Sequence, residues 1–249
     1  MFAAALRGDP EAGNRRFPRV PSLSCTESLS PPHTKPEVAR LRSRLIVEAV
    51  LAAIGVLCFV LLAQAFVRGG QVVAVDDDVS RWVAGSVPHG VEWVARLFTW
   101  LGGGVGTAVV TGAAVIVLWR ASRRVDATFV GLSVIGITVL VAVLKAVYER
   151  ARPELGSPIR LPHSYSFPSG HAATAVVLYG ALGLLLAERA RSRLRAVAWL
   201  VAAAAFAVAI GASRVALNVH FVSDVVAGFA VGLARLCCCA LVRDVVTRR

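Results

Sequence analysis

Residues 127–147 read ATFVGLSVIGITVLVAVLKAV. Until Lys145 the run carries no charge. As a helix it is about 30 Å long at 1.5 Å per residue, which matches the hydrocarbon core of a bilayer. Five further apolar runs lie near 45–67, 97–119, 171–187, 196–212 and 222–242. A lipid-exposed backbone must bond within itself, so each run has to be a helix. The expected fold is all-α: a polytopic membrane protein with six transmembrane helices in a bundle.

The composition agrees. Of 249 residues, 57% are hydrophobic and 17% charged, and mean hydropathy is +0.68. Soluble domains run nearer 45–50% apolar and about 25% charged. This excludes a disordered chain and a water-soluble globule. Net charge is +12, from 27 Lys+Arg against 15 Asp+Glu. A basic balance often signals nucleic acid, but here the cations cluster between apolar runs, so no nucleic-acid partner is expected. No internal repeat is visible.

Those clusters set an orientation. Arg40, Arg42 and Arg44 precede the first run, Arg120, Arg123 and Arg124 follow the second, and Arg189, Arg191, Arg193 and Arg195 follow the fourth. Arg243, Arg248 and Arg249 end the chain. The other side holds only Arg68, Arg81 and Arg96 outside the motifs described next. Cytoplasmic loops carry the Lys/Arg excess. Both termini are therefore expected inside a plasma membrane, with loops 68–96, 148–170 and 213–221 outside. Residues 1–43 hold six of the eleven prolines, and no run in them suits a signal peptide. They read as a disordered cytosolic tail before a membrane domain at 44–243, with 244–249 a short cytosolic end. Trp82, Trp93, Trp100 and Trp119 fall near run ends, as in an interfacial belt.

Polar groups concentrate at the outer run ends. Lys145 closes the third run, with Arg152-Pro153 beyond it. Pro168-Ser169-Gly170-His171 leads into the fourth. Ser213-Arg214 closes the fifth, followed by His220 and Asp224. Lys145, Arg152 and Arg214 are three cations from three helix ends on one membrane face. Arg offers a planar fork for phosphate oxygens and Lys a point charge. Ser169-Gly170 opens a helix whose free N–H groups and dipole favour an anion. His220 and Asp224 are one helical turn apart. A carboxylate so placed fixes one ring nitrogen as N–H and leaves the other as a nucleophile. His171 stands where it can protonate a leaving oxygen.

The pattern Lys145-x6-Arg152-Pro153, Pro168-Ser169-Gly170-His171, Ser213-Arg214-x5-His220-x3-Asp224 resembles the phosphatidic acid phosphatase type 2 superfamily. That family includes bacterial membrane lipid phosphatases and shares its site with vanadium haloperoxidases. The resemblance covers roughly 45–242 and implies a six-helix core with the site at the extracytoplasmic helix ends. It implies that His220 attacks phosphorus to give a phosphohistidine, that Asp224 orients His220, and that His171 protonates the leaving group and later activates water. Lys145, Arg152 and Arg214 would hold the phosphate oxygens, with Ser169 and the Gly170 N–H beside them. No cofactor and no metal are implied.

Other polar residues read less sharply. Asp76, Asp77 and Asp78 read as the start of a short amphipathic helix, with a metal site as the competing reading. Glu149 and Arg150 read as a solvated loop, with pairing to the site as the competing reading. Arg160, His163 and Tyr165 are candidates for substrate contact, and His33 and His89 read as solvated. Arg235, midway along the last run, is a functional flag because a cation there is expensive in lipid. Cys25, Cys58, Cys237, Cys238 and Cys239 lack zinc-ligand spacing, and no structural disulfide is expected. The expected function is hydrolysis of a lipid phosphate or diphosphate within the bilayer, of the polyprenyl diphosphate, phosphatidate or phosphatidylglycerol phosphate class. A non-catalytic lipid transporter or scramblase is the alternative, and haloperoxidase activity is disfavoured because those enzymes are soluble. Neither the particular lipid nor the oligomeric state is legible.

Overall fold

The computed structural model describes residues 35–86, 88–153, 157, 159 and 163–247. The calls on the tail before Lys35, on Arg160 and His33, and on the His89 side chain lie outside them. The described residues form eight helices and no strand: α1 (Lys35–Arg68), α2 (Gln71–Ser86), α3 (His89–Gly102), α4 (Gly104–Arg120), α5 (Arg124–Tyr148), α6 (Gly170–Glu188), α7 (Arg193–Ala216) and α8 (Val222–Val246). The described residues from Leu41 onward cluster as one compact unit.

Five helices are long and apolar enough to cross a membrane: Arg42–Arg68, Arg124–Tyr148, Gly170–Glu188, Arg193–Ala216 and Val222–Val246. A sixth crossing exists if α3 and α4, bent by 51° at Gly103, are taken together. The sequence suggested one straight span near 97–119. Three consecutive glycines, Gly102 to Gly104, break it, since glycine costs about 1 kcal/mol against alanine inside a helix. The bend folds Trp100 back, so that a Cβ on Gly106 would lie 2.2 Å from the Trp100 carbonyl oxygen. Helical structure also begins earlier and ends later than expected. α1 starts at Lys35, ahead of the apolar run at 45–67, with Pro36 in its first turn, where the missing N–H costs nothing. α8 continues to Val246 instead of stopping at 243.

The core is built around α6 and α8, the most buried of the spans. Small residues let them approach closely. A Cβ on Gly228 would lie 2.5 Å from the Ser169 carbonyl oxygen, and one on Gly232 would lie 2.6 Å from that of Ala173. The same approach lets the Ser169 N–H donate to the Asp224 carbonyl at 2.9 Å, so the N-termini of α6 and α8 lie side by side. Val177 and Leu178 of α6 pack with Val130, Ile137 and Phe167 in the buried core. Apolar side chains facing away from the bundle are exposed on most helices, with Trp82, Trp93, Trp100 and Trp119 among them.

At the end of the bundle formed by the start of α5 and the ends of α6 and α8, charges are paired. Arg44 reaches Glu48 at 3.1 Å, Glu188 at 2.7 Å and Asp244 at 3.0 Å. Arg243 reaches Asp126 at 2.7 Å and Glu188 at 2.8 Å, and Arg123 reaches Asp126 at 2.6 Å.

Candidate active site

The opposite end gathers the eight residues singled out in the sequence. α5 ends as Glu149 turns into the left-handed region at φ 45°, its N–H on the Lys145 carbonyl. The chain leaves that turn with Arg150 directed inward. α6 starts at Gly170 with Ser169 as its N-cap, and that side chain makes no capping bond. α7 ends just past Arg214, whose carbonyl accepts the backbone N–H of Val219 and of His220. Asp224 occupies the first turn of α8 and accepts the Phe221 N–H at 3.0 Å.

His220 is 2% exposed and Asp224 fully buried. The His220 Nδ1 lies 3.3 Å from Asp224 Oδ2 and 3.2 Å from Ser166 Oγ. Ser166 also donates to Asp224 Oδ2. The other carboxylate oxygen, Oδ1, accepts from Arg150 at 2.7 Å. With both oxygens accepting, Asp224 is ionised and Nδ1 bears the ring proton, a tautomer assigned from the network. Nε2 then carries the ring lone pair, which accepts from Arg152 Nη1 at 3.1 Å. Burial pushes the His220 pKa down to about 3, against the opposing pull of Asp224, so the ring is neutral. A neutral imidazole with an oriented lone pair is a nucleophile.

The three cations converge on this ring. Arg214 is 2% exposed. Its Nη1 donates to Thr99 Oγ1 at 3.2 Å, while its Nε is buried without a partner among the described residues. Arg152 donates from Nε to the Ser164 carbonyl at 2.7 Å and from Nη1 to the Val219 carbonyl at 2.7 Å. Burial holds the Arg152 pKa below its usual value, partly offset by Asp224. Lys145 Nζ donates to the Tyr165 carbonyl and, at 3.4 Å, to that of Ser166. The Ser169 hydroxyl is another buried polar atom here with no partner among the described residues. His171 sits against the glycine break, its Nε2 3.4 Å from where a Cβ on Gly103 would be.

Several residues differ from the sequence reading. Arg150 is buried rather than solvated, 6% exposed. It lies between the rings of Phe66 and Phe221, 4.6 and 4.3 Å from their centroids. Asp76 does not start a helix. α2 begins at Gln71, and Asp76 is buried inside it, accepting from Arg150 at 2.8 Å and from the Ser223 N–H at 3.0 Å. Asp78 is exposed and pairs with Arg81. Glu149 caps α5. His163 is exposed, and Tyr165 meets Lys145 and Arg152 through its backbone carbonyl. Ser166 had no sequence signal at all. Arg235 donates to the Leu132 carbonyl at 2.9 Å, far from this site along α8. Cys58, Cys237, Cys238 and Cys239 are free thiols. Among the described residues no three His, Cys, Asp or Glu side chains gather as a metal-binding group.

Residues 126–248 match the family model described as the PAP2 superfamily. Over 93 residues the chain is 40% identical to phosphatidylglycerophosphatase B of Bacillus subtilis (strain 168), a match covering 36% of this chain. It spans 45% of that relative, less than half its length. Among solved structures, the chain is similar to a transmembrane PAP2 type phosphatidylglycerolphosphate phosphatase from Bacillus subtilis, at 28% identity and a TM-score of 0.68. That match covers 76% of this chain and 94% of the other. Aquifex aeolicus LpxE shares the fold, at 24% identity and a TM-score of 0.52, over 67% of this chain and 92% of its own.

Proposed function

From a multi-pass membrane chain that carries a PAP2 superfamily domain over residues 126–248, we propose that this protein is a metal-independent lipid phosphatase or diphosphatase working through a phosphohistidine. The observation that carries the reading is the surplus of buried donors around one neutral imidazole. Among the described residues Ser169 Oγ and Arg214 Nε have no hydrogen-bond partner, and Lys145 and Arg152 meet backbone carbonyls, the Ser164 hydroxyl and the His220 ring. Fixed donors around a dry nucleophile suit a phosphate that gains charge on its oxygens in the transition state. A scramblase would have no use for the His220–Asp224 pair.

His220 Nε2 attacks phosphorus as the bond to the leaving oxygen breaks. His171 gives that oxygen a proton. Water then attacks the phosphohistidine, His171 takes the water proton, and the P–N bond breaks to release phosphate. Asp224 keeps its hydrogen bond to Nδ1–H throughout and offsets the positive charge of the phosphorylated ring. Lys145, Arg152, Arg214, Ser169 and the Gly170 N–H hold the equatorial oxygens.

The substrate is a lipid whose chains stay in the bilayer, of the phosphatidylglycerol phosphate, phosphatidate or polyprenyl diphosphate class. The Arg distribution favours both termini in the cytoplasm and His220 on the outer face. Purified protein supplied with each of these lipids in EDTA is expected to release phosphate from at least one, with inhibition by vanadate. Loss of turnover in EDTA, restored by magnesium, would overturn the metal-free mechanism. In a background without reactive native thiols, Arg160→Cys is expected to react with an impermeant maleimide in intact cells and Arg191→Cys is not; the reverse pattern overturns the orientation.

A further inference from the structure

Behind the nucleophile lies a buried charge cluster that these steps do not use. Arg150 sends Nη1 to Asp224 Oδ1 at 2.7 Å and to Ser223 Oγ at 2.7 Å, and Nη2 to Asp76 Oδ2 at 2.8 Å. Asp76 is held in turn by the Ser223 N–H at 3.0 Å and by the Ser223 hydroxyl. The side chains of Arg150, Asp76 and Asp224 are 5%, 2% and 0% exposed. Removing three charges from water is costly, and apolar side chains of similar size would brace the helices as well or better. The rings of Phe66 and Phe221 cover the guanidinium, and its edge carries the bonds to Asp76, Ser223 and Asp224.

The geometry does something an apolar brace cannot. A planar fork held by two carboxylates cannot rotate, so Asp224 Oδ1 is fixed in space. Oδ2 then keeps a constant direction toward Nδ1 of His220. The charges also count: Asp76, Arg150 and Asp224 together carry −1. That value offsets the +1 of an imidazole ring once its Nε2 is bonded to phosphorus. Without Asp76 the trio would reduce to a neutral Arg150–Asp224 pair, and without Arg150 two carboxylates would be buried together.

We propose that Asp76 and Arg150 are positioning residues for the nucleophile, fixing Asp224 as an ionised acceptor so that His220 presents Nε2 to phosphorus. Neither touches substrate; both act through Asp224. The proposal rests on the phosphatase reading of the site. α2 thereby joins the catalytic end, since it supplies Asp76 and also Ser80, whose hydroxyl donates to Asn218 Oδ1 at 2.8 Å in the turn before His220.

The test uses the purified full chain in detergent, with phosphatidylglycerol phosphate, phosphatidate and a polyprenyl diphosphate as probes, and thermal melts to normalise for folded protein. Arg150→Gln is expected to lower kcat about a hundredfold with KM within about threefold, the pattern of an interaction made only in the transition state. Asp76→Asn should lower kcat about tenfold, and Arg150→Lys should recover part of the Arg150→Gln loss, because charge returns without the fork. In an Asp224→Asn background, Arg150→Gln should cost less than about threefold more, because residues acting through one partner are non-additive. Equal losses in both backgrounds, a change in KM alone, or wild-type kcat in Arg150→Gln would overturn the proposal while leaving the phosphatase reading intact. If Arg150→Gln fails to fold, Asp76→Asn is taken through the same comparison. A wild type that releases no phosphate from any probe overturns the reading of the site and this proposal with it.

Discussion

The two ends of the bundle handle charge in opposite ways. At one end Arg44, Arg123 and Arg243 meet Glu48, Asp126, Glu188 and Asp244, and each of the three arginines has at least one carboxylate within 4 Å. At the other, Lys145, Arg152 and Arg214 crowd around His220 with Asp224 as the nearest carboxylate, and Asp224 already serves His220, Ser166 and Arg150. The first end draws stability from its charges. The second holds like charges together and leaves donors unsatisfied, which costs stability unless an anion arrives. Such sites commonly trade stability for activity. The contrast is what marks the second end as the candidate site.

Substitutions at the two ends should therefore separate activity from stability. The largest effect is expected for His220→Ala. Turnover should fall by more than about 10⁴-fold, since no other group there can attack phosphorus, and near wild-type phosphate release would end the nucleophile assignment. Arg214→Lys comes next. It keeps the charge but loses the fork, and kcat should drop about a hundredfold; a change below about threefold would mean that charge alone suffices.

Lys145→Met sharpens the contrast. It removes one of three mutually repelling cations, so activity should fall at least about tenfold while the melting temperature holds or rises. A clear loss of melting temperature would mean that Lys145 is structural. Glu188→Gln is the mirror case, since it takes a partner from both Arg44 and Arg243. These partly exposed pairs should cost about 1–2 kcal/mol, or roughly 3–6 °C for a chain of this size. kcat should stay within about twofold, and a loss of kcat with unchanged melting would break the division between the ends.

The smallest effect concerns acid. Burial lowers the folded-state pKa of His220 to about 3, well below its ordinary value of about 6.5. Between those values the unfolded chain binds the extra proton, so stability falls as pH falls through that window. His220→Gln removes this contribution and should flatten the decline in melting temperature from pH 7 to pH 4. An equally steep decline in the variant would argue that other groups dominate acid unfolding.

Much of this was legible in the chain. The apolar runs gave α5 to α8 to within about four residues at each end, though not the early start of α1 or the break between α3 and α4, and the pattern of Lys145, Arg152, His171, Arg214, His220 and Asp224 pointed to a candidate phosphate site. Residues whose role depends on a partner distant in sequence were not legible. Arg150 looked like one more loop cation because its carboxylates lie 74 residues away in either direction. Asp76 looked like a helix start because acids favour that position. Ser166 carried no signal, and the carbonyls of Ser164 and Tyr165 that hold Arg152 belong to the backbone, which any residue type would offer.

The sequence by itself determined what each segment must be. An apolar run in lipid has one way to satisfy its backbone, and residue types that bind phosphate oxygens or attack phosphorus are few. Those are local demands, readable one segment at a time. Only the tertiary structure decided which polar groups share a partner. The close approach of Gly228 and Gly232 to α6 sets the N-termini of α6 and α8 side by side. The three-glycine break bends α3 against α4 beside His171. The fold also carries Asp76 and Arg150 behind Asp224. Pairing energies of buried charges depend on distances of a few ångströms between residues far apart in the chain, and only the packed bundle fixes those distances.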